Sequence, residues 1–156
     1  PKLAALIRHI DLLVKDGYHP VVFCRYIATA HYVAEHLKAA FPKATIEAVT
    51  GELTPEERRE RVEDMIDADQ RILVATDCLS EGINLQHLFT AVVHYDLAWN
   101  PTRHEQREGR VDRFGQQADE VRCTMLYGQD NPVDGFVLNV ILKKGEAIQK
   151  GLGVLV

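Results

Sequence analysis

Four arginines stand three or four residues apart late in the chain: Arg103, Arg107, Arg110 and Arg113. On a helix they would form one ridge. A glycine at position 109 interrupts the run, although glycine weakens a helix. Arginine without lysine suits planar, bidentate contacts to phosphate. The spacing leaves two interpretations open: a phosphate-binding ridge, or a solvated face whose arginines pair with neighbouring acids.

A second polar segment, Thr76-Asp77-Cys78-Leu79-Ser80-Glu81-Gly82-Ile83-Asn84, follows the apolar run that ends at Ala75. Parallel α/β sheets place their ligands at the carboxyl ends of strands, so this position is typical of a binding site. An ordinary connection from strand to helix, capped by Thr76 or Asp77, is the alternative.

The helices and strands that must position these two polar segments alternate along the chain. Apolar residues at helical spacing predict a helix from Leu3 to Val14, stopped by Gly17, and another from Ile27 to Leu37. Thr54-Pro55-Glu56-Glu57 predicts a third helix start, with Val62, Met65 and Ile66 on its buried side. Further helices are expected from Asn100 to about Phe114 and from about Val133 to Gln149. Short apolar runs predict five strands: Val21–Cys24, Ile46–Val49, Ile72–Ala75, Ala91–Tyr95 and Val121–Leu126.

This alternation predicts an α/β fold with an open, mainly parallel sheet and helices on both faces. The 156 residues suit one domain, 1–156, which we expect to be excised from a longer protein. No apolar stretch approaches the roughly 20 residues of a membrane span. Three scattered cysteines, with no metal-ligand motif among the seven histidines, indicate a reducing cytoplasm and no metal site. The net charge of −5 argues against a non-specific nucleic-acid binder and leaves room for a local patch.

Taken together, the two polar segments resemble motifs V and VI of the second RecA-like lobe of superfamily two helicases. Gln106-x-x-Gly109-Arg110-x-x-Arg113 matches the QxxGRxxR pattern at every fixed position. Thr76-Asp77 followed by Glu81-Gly82-Ile83-Asn84-Leu85 resembles motif V, and Val22-Phe23-Cys24 resembles motif IV. Val49-Thr50-Gly51 is similar to the segment that follows the next strand.

Details of the motifs indicate a branch. Gln106 and Asn84 stand where Dead-box RNA helicases usually have histidine and aspartate. Together with Arg113-Phe114-Gly115-Gln116 they resemble the Swi/Snf-type double-stranded DNA translocases, nearest the bacterial RapA-like branch. Ser80-Glu81-Gly82 departs from the more glycine-rich motif V of Swi/Snf remodellers.

The resemblance implies a three-layer RecA-like lobe that works with an N-terminal RecA-like lobe of the same chain. ATP would lie between the lobes, with Mg²⁺ held mainly by the N-terminal one, since no GxxxxGK[ST] loop occurs here. Arg110 and Arg113 are implied as arginine fingers, and Gln106 as the residue that orients them or contacts the nucleotide. Glu81, Gly82, Asn84 and Gly109 are implied beside the nucleotide.

The resemblance also implies a nucleic-acid face formed by Thr76, Thr50, Gly51 and Arg25, whereas Asp77 is expected to fix an arginine. The whole protein would then couple ATP hydrolysis to movement on double-stranded DNA, in the cytoplasm and with no membrane. Two alternatives stay open: an RNA helicase lobe, or a catalytically silent α/β binding module. The lobe alone is expected to be inactive.

Overall fold

The computed structural model describes residues 2–78, 83, 85–96, 106–111, 116–118, 120–128 and 136–144, with side-chain surroundings as far as Leu126. The expected helices are α1 (Lys2–Lys15), α2 (Ile27–Ala40) and α3 (Pro55–Glu63). The expected strands are β1 (Pro20–Phe23), β2 (Thr45–Val49), β3 (Arg71–Ala75), β4 (Ala91–His94) and β5 (Glu120–Gly128). A 3-10 turn at Leu85–His87 precedes β4.

The strands form one sheet in the order β2-β3-β1-β4-β5-β6, in which β6 (Phe136–Lys144) is the last strand. All pairs from β2 to β5 are parallel, and β5 pairs antiparallel with β6. Strands β1 and β4 are buried along their whole length, which explains their unbroken apolar runs. The predicted mainly parallel α/β sheet is therefore confirmed.

Successive strand residues point into two separate cores. Val22 and Val74 pack with α1 and α2 on one face of the sheet, through residues such as Leu6 and Leu37. Val21 and Leu73 face the opposite core, together with Val62 of α3 and other apolar residues: Met65, Leu85, Phe89 and Val111. Helices and turns thus cover both faces, and the fold is the three-layer RecA-like arrangement.

The expected last helix is wrong. Where a helix was predicted from about Val133 to Gln149, residues Phe136–Lys144 form β6 and pair with β5 from Gly128↔Phe136 to Glu120↔Lys144. The stretch FVLNVILKK is rich in β-branched and aromatic residues, and it covers what would otherwise be the open edge of β5.

Two smaller expectations are met in part. Ile66 is 61% exposed because α3 ends at Glu63, although Val62 and Met65 are buried as predicted. Within the helix expected from Asn100 to Phe114, the described residues 106–109, here called the short helix, are helical and are followed by a turn at residues 110–111. The amides of Arg110 and Val111 donate to carbonyls three residues back, of Arg107 and Glu108, so the segment tightens beside Gly109. Residues 100–105 and 112–114 of that prediction lie outside the described residues.

Candidate functional site

The carboxyl ends of the four adjacent parallel strands β2, β3, β1 and β4 lie side by side. Register aligns Val49 with Ala75, and Phe23 with both Ala75 and His94. Backbone bonds extend the alignment by one residue, from Thr76 N to Val49 O (3.3 Å), Cys24 N to Ala75 O (2.8 Å) and Tyr95 N to Phe23 O (3.0 Å). Each strand therefore delivers its next residues to one edge.

Asp77, which follows β3, holds an arginine as predicted. The Nε and Nη2 atoms of Arg107 donate to Oδ1 and Oδ2 of Asp77 at 2.7 and 2.9 Å, a bidentate pair. The Arg107 side chain is 2% exposed, and its Nη1 donates to the backbone carbonyl of Asp96 at 3.0 Å. Its guanidinium carbon lies 5.6 Å from the centre of the Phe23 ring. This pair ties the arginine motif to the segment after β3.

A second buried pair adjoins the first. Nε2 of His94, on β4, lies 2.9 Å from Oε2 of Glu108, and the two side chains are 0% and 8% exposed. Nη1 of Arg107 lies 3.5 Å from Nδ1 of His94. The sequence pattern indicates no role for His94 or Asp96, and it suggests Glu108 only as one of the acids that could pair with the arginines. Only the general excess of polar residues around the arginine motif signalled this network.

The arginines do not form one solvated ridge. Arg107 is buried, whereas Arg110 is partly exposed, and its guanidinium makes no hydrogen bond or ion pair in the part of the chain that the structure describes. Gln106 and Gly109 are exposed, and a Cβ at Gly109 would meet nothing within 4 Å among the described residues. The short helix thus has an anchored side and an open side. Arg103 and Arg113 lie outside the described residues, as do Glu81, Gly82 and Asn84.

The two threonines expected on the nucleic-acid face reach the same edge, but they are buried and their hydroxyls have acceptors within the chain. Thr50 is 1% exposed and donates to Glu52 Oε1 at 3.2 Å, while Thr76 is 6% exposed and donates to Cys78 Sγ at 3.3 Å. Gly51 is exposed, and a Cβ there would stand 4.0 Å from the Cβ of Cys78. A ligand at this edge would therefore meet the backbone around Gly51 before it met either hydroxyl.

Arg25 and Glu52 place opposite charges at this edge. The Arg25 side chain is exposed, stacks on the Tyr26 ring at 5.3 Å, and its backbone amide donates to Asp96 Oδ2 at 3.0 Å. His31 Nε2 lies 2.6 Å from Glu52 Oε1, and the hydrogen bonds from His31 and Thr50 lower the pKa of the Glu52 carboxyl. Burial raises the pKa of the Cys24 thiol to about 12, with the Asp96 charge adding to the effect, so this thiol is inert.

The sheet order, the two covered faces and the joined polar segments define a RecA-like lobe. The family described as "Helicase conserved C-terminal domain" matches residues 1–115, and the chain belongs to that family. In the part of the chain that the structure describes, no helix has the length and apolar character needed to cross a membrane.

An uncharacterized ATP-dependent helicase, YqhH of Bacillus subtilis, is 30% identical over 94% of this chain and 25% of its own length. The chain thus spans about a quarter of that relative. Among solved structures, domain 2 of the DEAD-box helicase Mss116p bound to an RNA duplex has a TM-score of 0.66 at 21% identity, covering 80% of this chain and 48% of that one. The Sulfolobus solfataricus SWI2/SNF2 ATPase C-terminal domain has a TM-score of 0.53 at 20% identity, covering 64% and 44%.

Proposed function

We propose that this chain is the second motor lobe of an ATP-dependent helicase or translocase of the Swi/Snf type. In the whole protein it would supply arginine fingers for ATP hydrolysis coupled to movement on double-stranded DNA. The observation that carries the proposal is the bidentate Asp77–Arg107 pair. It joins the segment after β3 to the arginine motif and leaves Arg110 without an internal partner in the described residues.

Arg110 has the properties that a finger requires. Its guanidinium is partly exposed, while Arg107 and Val111 on either side of it are buried and hold the backbone. A positioned arginine stabilises charge that develops on the transferred phosphoryl oxygens, an effect of about 10³ to 10⁵ in rate. Arg113 completes the pair by its place in the motif.

The hydrogen-bond donors on the open side of the short helix suit the binding of a nucleotide. The Gln106 amide and the Arg110 guanidinium are accessible, and the space beside Gly109 is open toward a partner from outside the described residues. Glu81, Gly82 and Asn84 are proposed as further nucleotide neighbours from their place in motif V. Mg²⁺ would be held mainly by the N-terminal lobe, because nucleotide-binding lobes use a phosphate loop and acids for this purpose.

The nucleic-acid face is proposed at Arg25, Thr50, Gly51 and Thr76. Because both threonine hydroxyls have internal acceptors, phosphate contacts would come from the backbone of exposed Gly51 and from the Arg25 guanidinium. Such contacts bind the phosphate backbone of a strand and do not distinguish one base from another, which suits a protein that moves along nucleic acid. Gln106 and Asn84 favour duplex DNA over RNA as the substrate, because Dead-box RNA helicases usually have histidine and aspartate at these two positions.

The test is ATP hydrolysis by the parent chain with duplex DNA, single-stranded DNA, RNA or no nucleic acid. Arg110→Ala and Arg113→Ala are each compared with Arg59→Ala, an exposed arginine on α3 without a described partner. We expect turnover stimulated by duplex DNA, lost by about 10³-fold in the finger variants and retained in Arg59→Ala.

Two results would move the assignment. Stimulation by RNA alone would support an RNA helicase lobe instead. The likeness to Mss116p domain 2, whose structure was solved with an RNA duplex bound, agrees with that alternative. Absence of hydrolysis under every condition, with a folded parent that carries an intact phosphate loop, would leave the silent binding module.

A further inference from the structure

We infer that His94 and Glu108 are positioning residues for Arg110, an inference that rests on the proposed function of Arg110. Neither residue faces the open side of the short helix: both are buried, and they contact each other between β4 and that helix. Their contact fixes the turn that carries Arg110, alongside the Asp77–Arg107 pair.

Arg110 lies in the turn at residues 110–111, which directly follows the helical residues 106–109. Gly109, the residue before it, weakens a helix relative to alanine. The position of Arg110 therefore depends on side chains that bind the helix to the sheet.

Residues 107, 108 and 111 are buried and form the anchored side of this segment. Arg107 reaches Asp77 beyond β3, Glu108 reaches His94 on β4, and Val111 packs into the core of that face. Asp77, which follows β3, and His94, on β4, thus each bind one polar side chain of the short helix. Removing the Glu108 anchor therefore weakens the attachment of this segment to β4.

The contacts of His94 assign its tautomer. A carboxylate only accepts hydrogen bonds, so Nε2 carries the hydrogen donated to Glu108. A guanidinium only donates, so Nδ1 offers its lone pair to Arg107 Nη1. The imidazole therefore stands between two consecutive residues of the short helix and fixes their spacing relative to β4.

The experiment compares His94→Ala, Glu108→Ala and Glu108→Gln in the parent chain. The glutamine carbonyl can still accept from Nε2, so this variant keeps the hydrogen bond and loses the charge. His9→Ala is the matched control, because His9 Nε2 makes an equally buried contact with Thr124 Oγ1 at 2.7 Å, between α1 and β5.

Two readouts are taken at a temperature where every variant stays folded. Hydrogen exchange reports protection of the 106–111 segment, which includes the amides bonded to Arg107 and Glu108 carbonyls. Steady-state kinetics separates kcat from the KM for ATP. We expect both alanine variants to lose protection there and to lose about 10-fold or more in kcat, with KM little changed. Glu108→Gln should stay within about threefold of wild type, and His9→Ala should keep kcat.

The inference is overturned if His94→Ala leaves the 106–111 segment as protected as His9→Ala does, or if Glu108→Gln is as impaired as Glu108→Ala. The exchange readout needs no turnover. A wild-type parent that hydrolyses no ATP would therefore contradict the proposed function of Arg110, while the exchange pattern would still decide whether His94 and Glu108 hold the segment.

Discussion

Replacing Asp77 with alanine leaves the buried Arg107 guanidinium without its bidentate partner. Removing one partner of a buried ion pair costs about 3–5 kcal/mol. Here the cost is reduced, because the Asp77 side chain is 23% exposed and Arg107 keeps the Asp96 carbonyl at 3.0 Å. We therefore expect Asp77→Ala to lower the free energy of unfolding by about 2–3 kcal/mol. Asp77→Asn, which keeps acceptor capacity for one of the two bonds, should lose about 1 kcal/mol.

The assay is denaturant unfolding of this chain, with the slope against denaturant checked for constancy. Asp11→Ala is the control, because Asp11 pairs with Lys15 at 2.9 Å on the exposed surface of α1, where removal costs at most about 0.5 kcal/mol. If Asp77→Ala were no more costly than Asp11→Ala, Arg107 would not depend on its carboxylate, and the anchoring described for the short helix would be refuted.

Three further outcomes follow from burial and capping. Burial lowers the pKa of His9 and His19, with Arg122 and Arg71 adding to it respectively, so the unfolded state binds more protons on acidification. Unfolding titrations should show stability falling as pH drops below about 6.5, less steeply in His9→Gln. Maleimide labelling followed by mass spectrometry should modify half-exposed Cys78 in the native chain and buried Cys24 only after unfolding. Thr54→Ala should cost about 1 kcal/mol in thermal or denaturant unfolding, because its hydroxyl caps α3 at the Glu57 amide.

The central fold follows from the sequence because each buried strand is a short apolar run between helical patterns. The last strand does not, since Phe136, Leu138, Val140 and Leu142 fit a strand face while the same stretch also fits a helix. The strand is favoured because β5 would otherwise have no neighbour on that side of the sheet. This pairing between distant segments cannot be read from the local pattern of residues. The end of the short helix is different, because Gly109, where the helix gives way to a turn, is a residue that weakens helices and is present in the sequence itself.

The candidate site is also predictable from the sequence only in part. The expectation that Asp77 fixes an arginine is confirmed because both residues belong to polar segments with recognisable spacing. His94 gave no signal, as it ends an apolar strand and meets Glu108 only after folding. Thr50 and Thr76 lie at the predicted edge, but their hydroxyls donate to Glu52 and Cys78, contacts that the local sequence pattern does not predict.

Arg107 and Arg110 show why arginines three residues apart can have opposite roles. Arg107 is surrounded by acceptors from two strands, and its charge is neutralised within the domain. Arg110 has no such acceptor among the described residues, so its charge is available to a ligand. The contacts that residues 107 and 108 make with Asp77 after β3 and with His94 on β4 help to set the position of that available charge. Any displacement of those strand ends will therefore also displace Arg110.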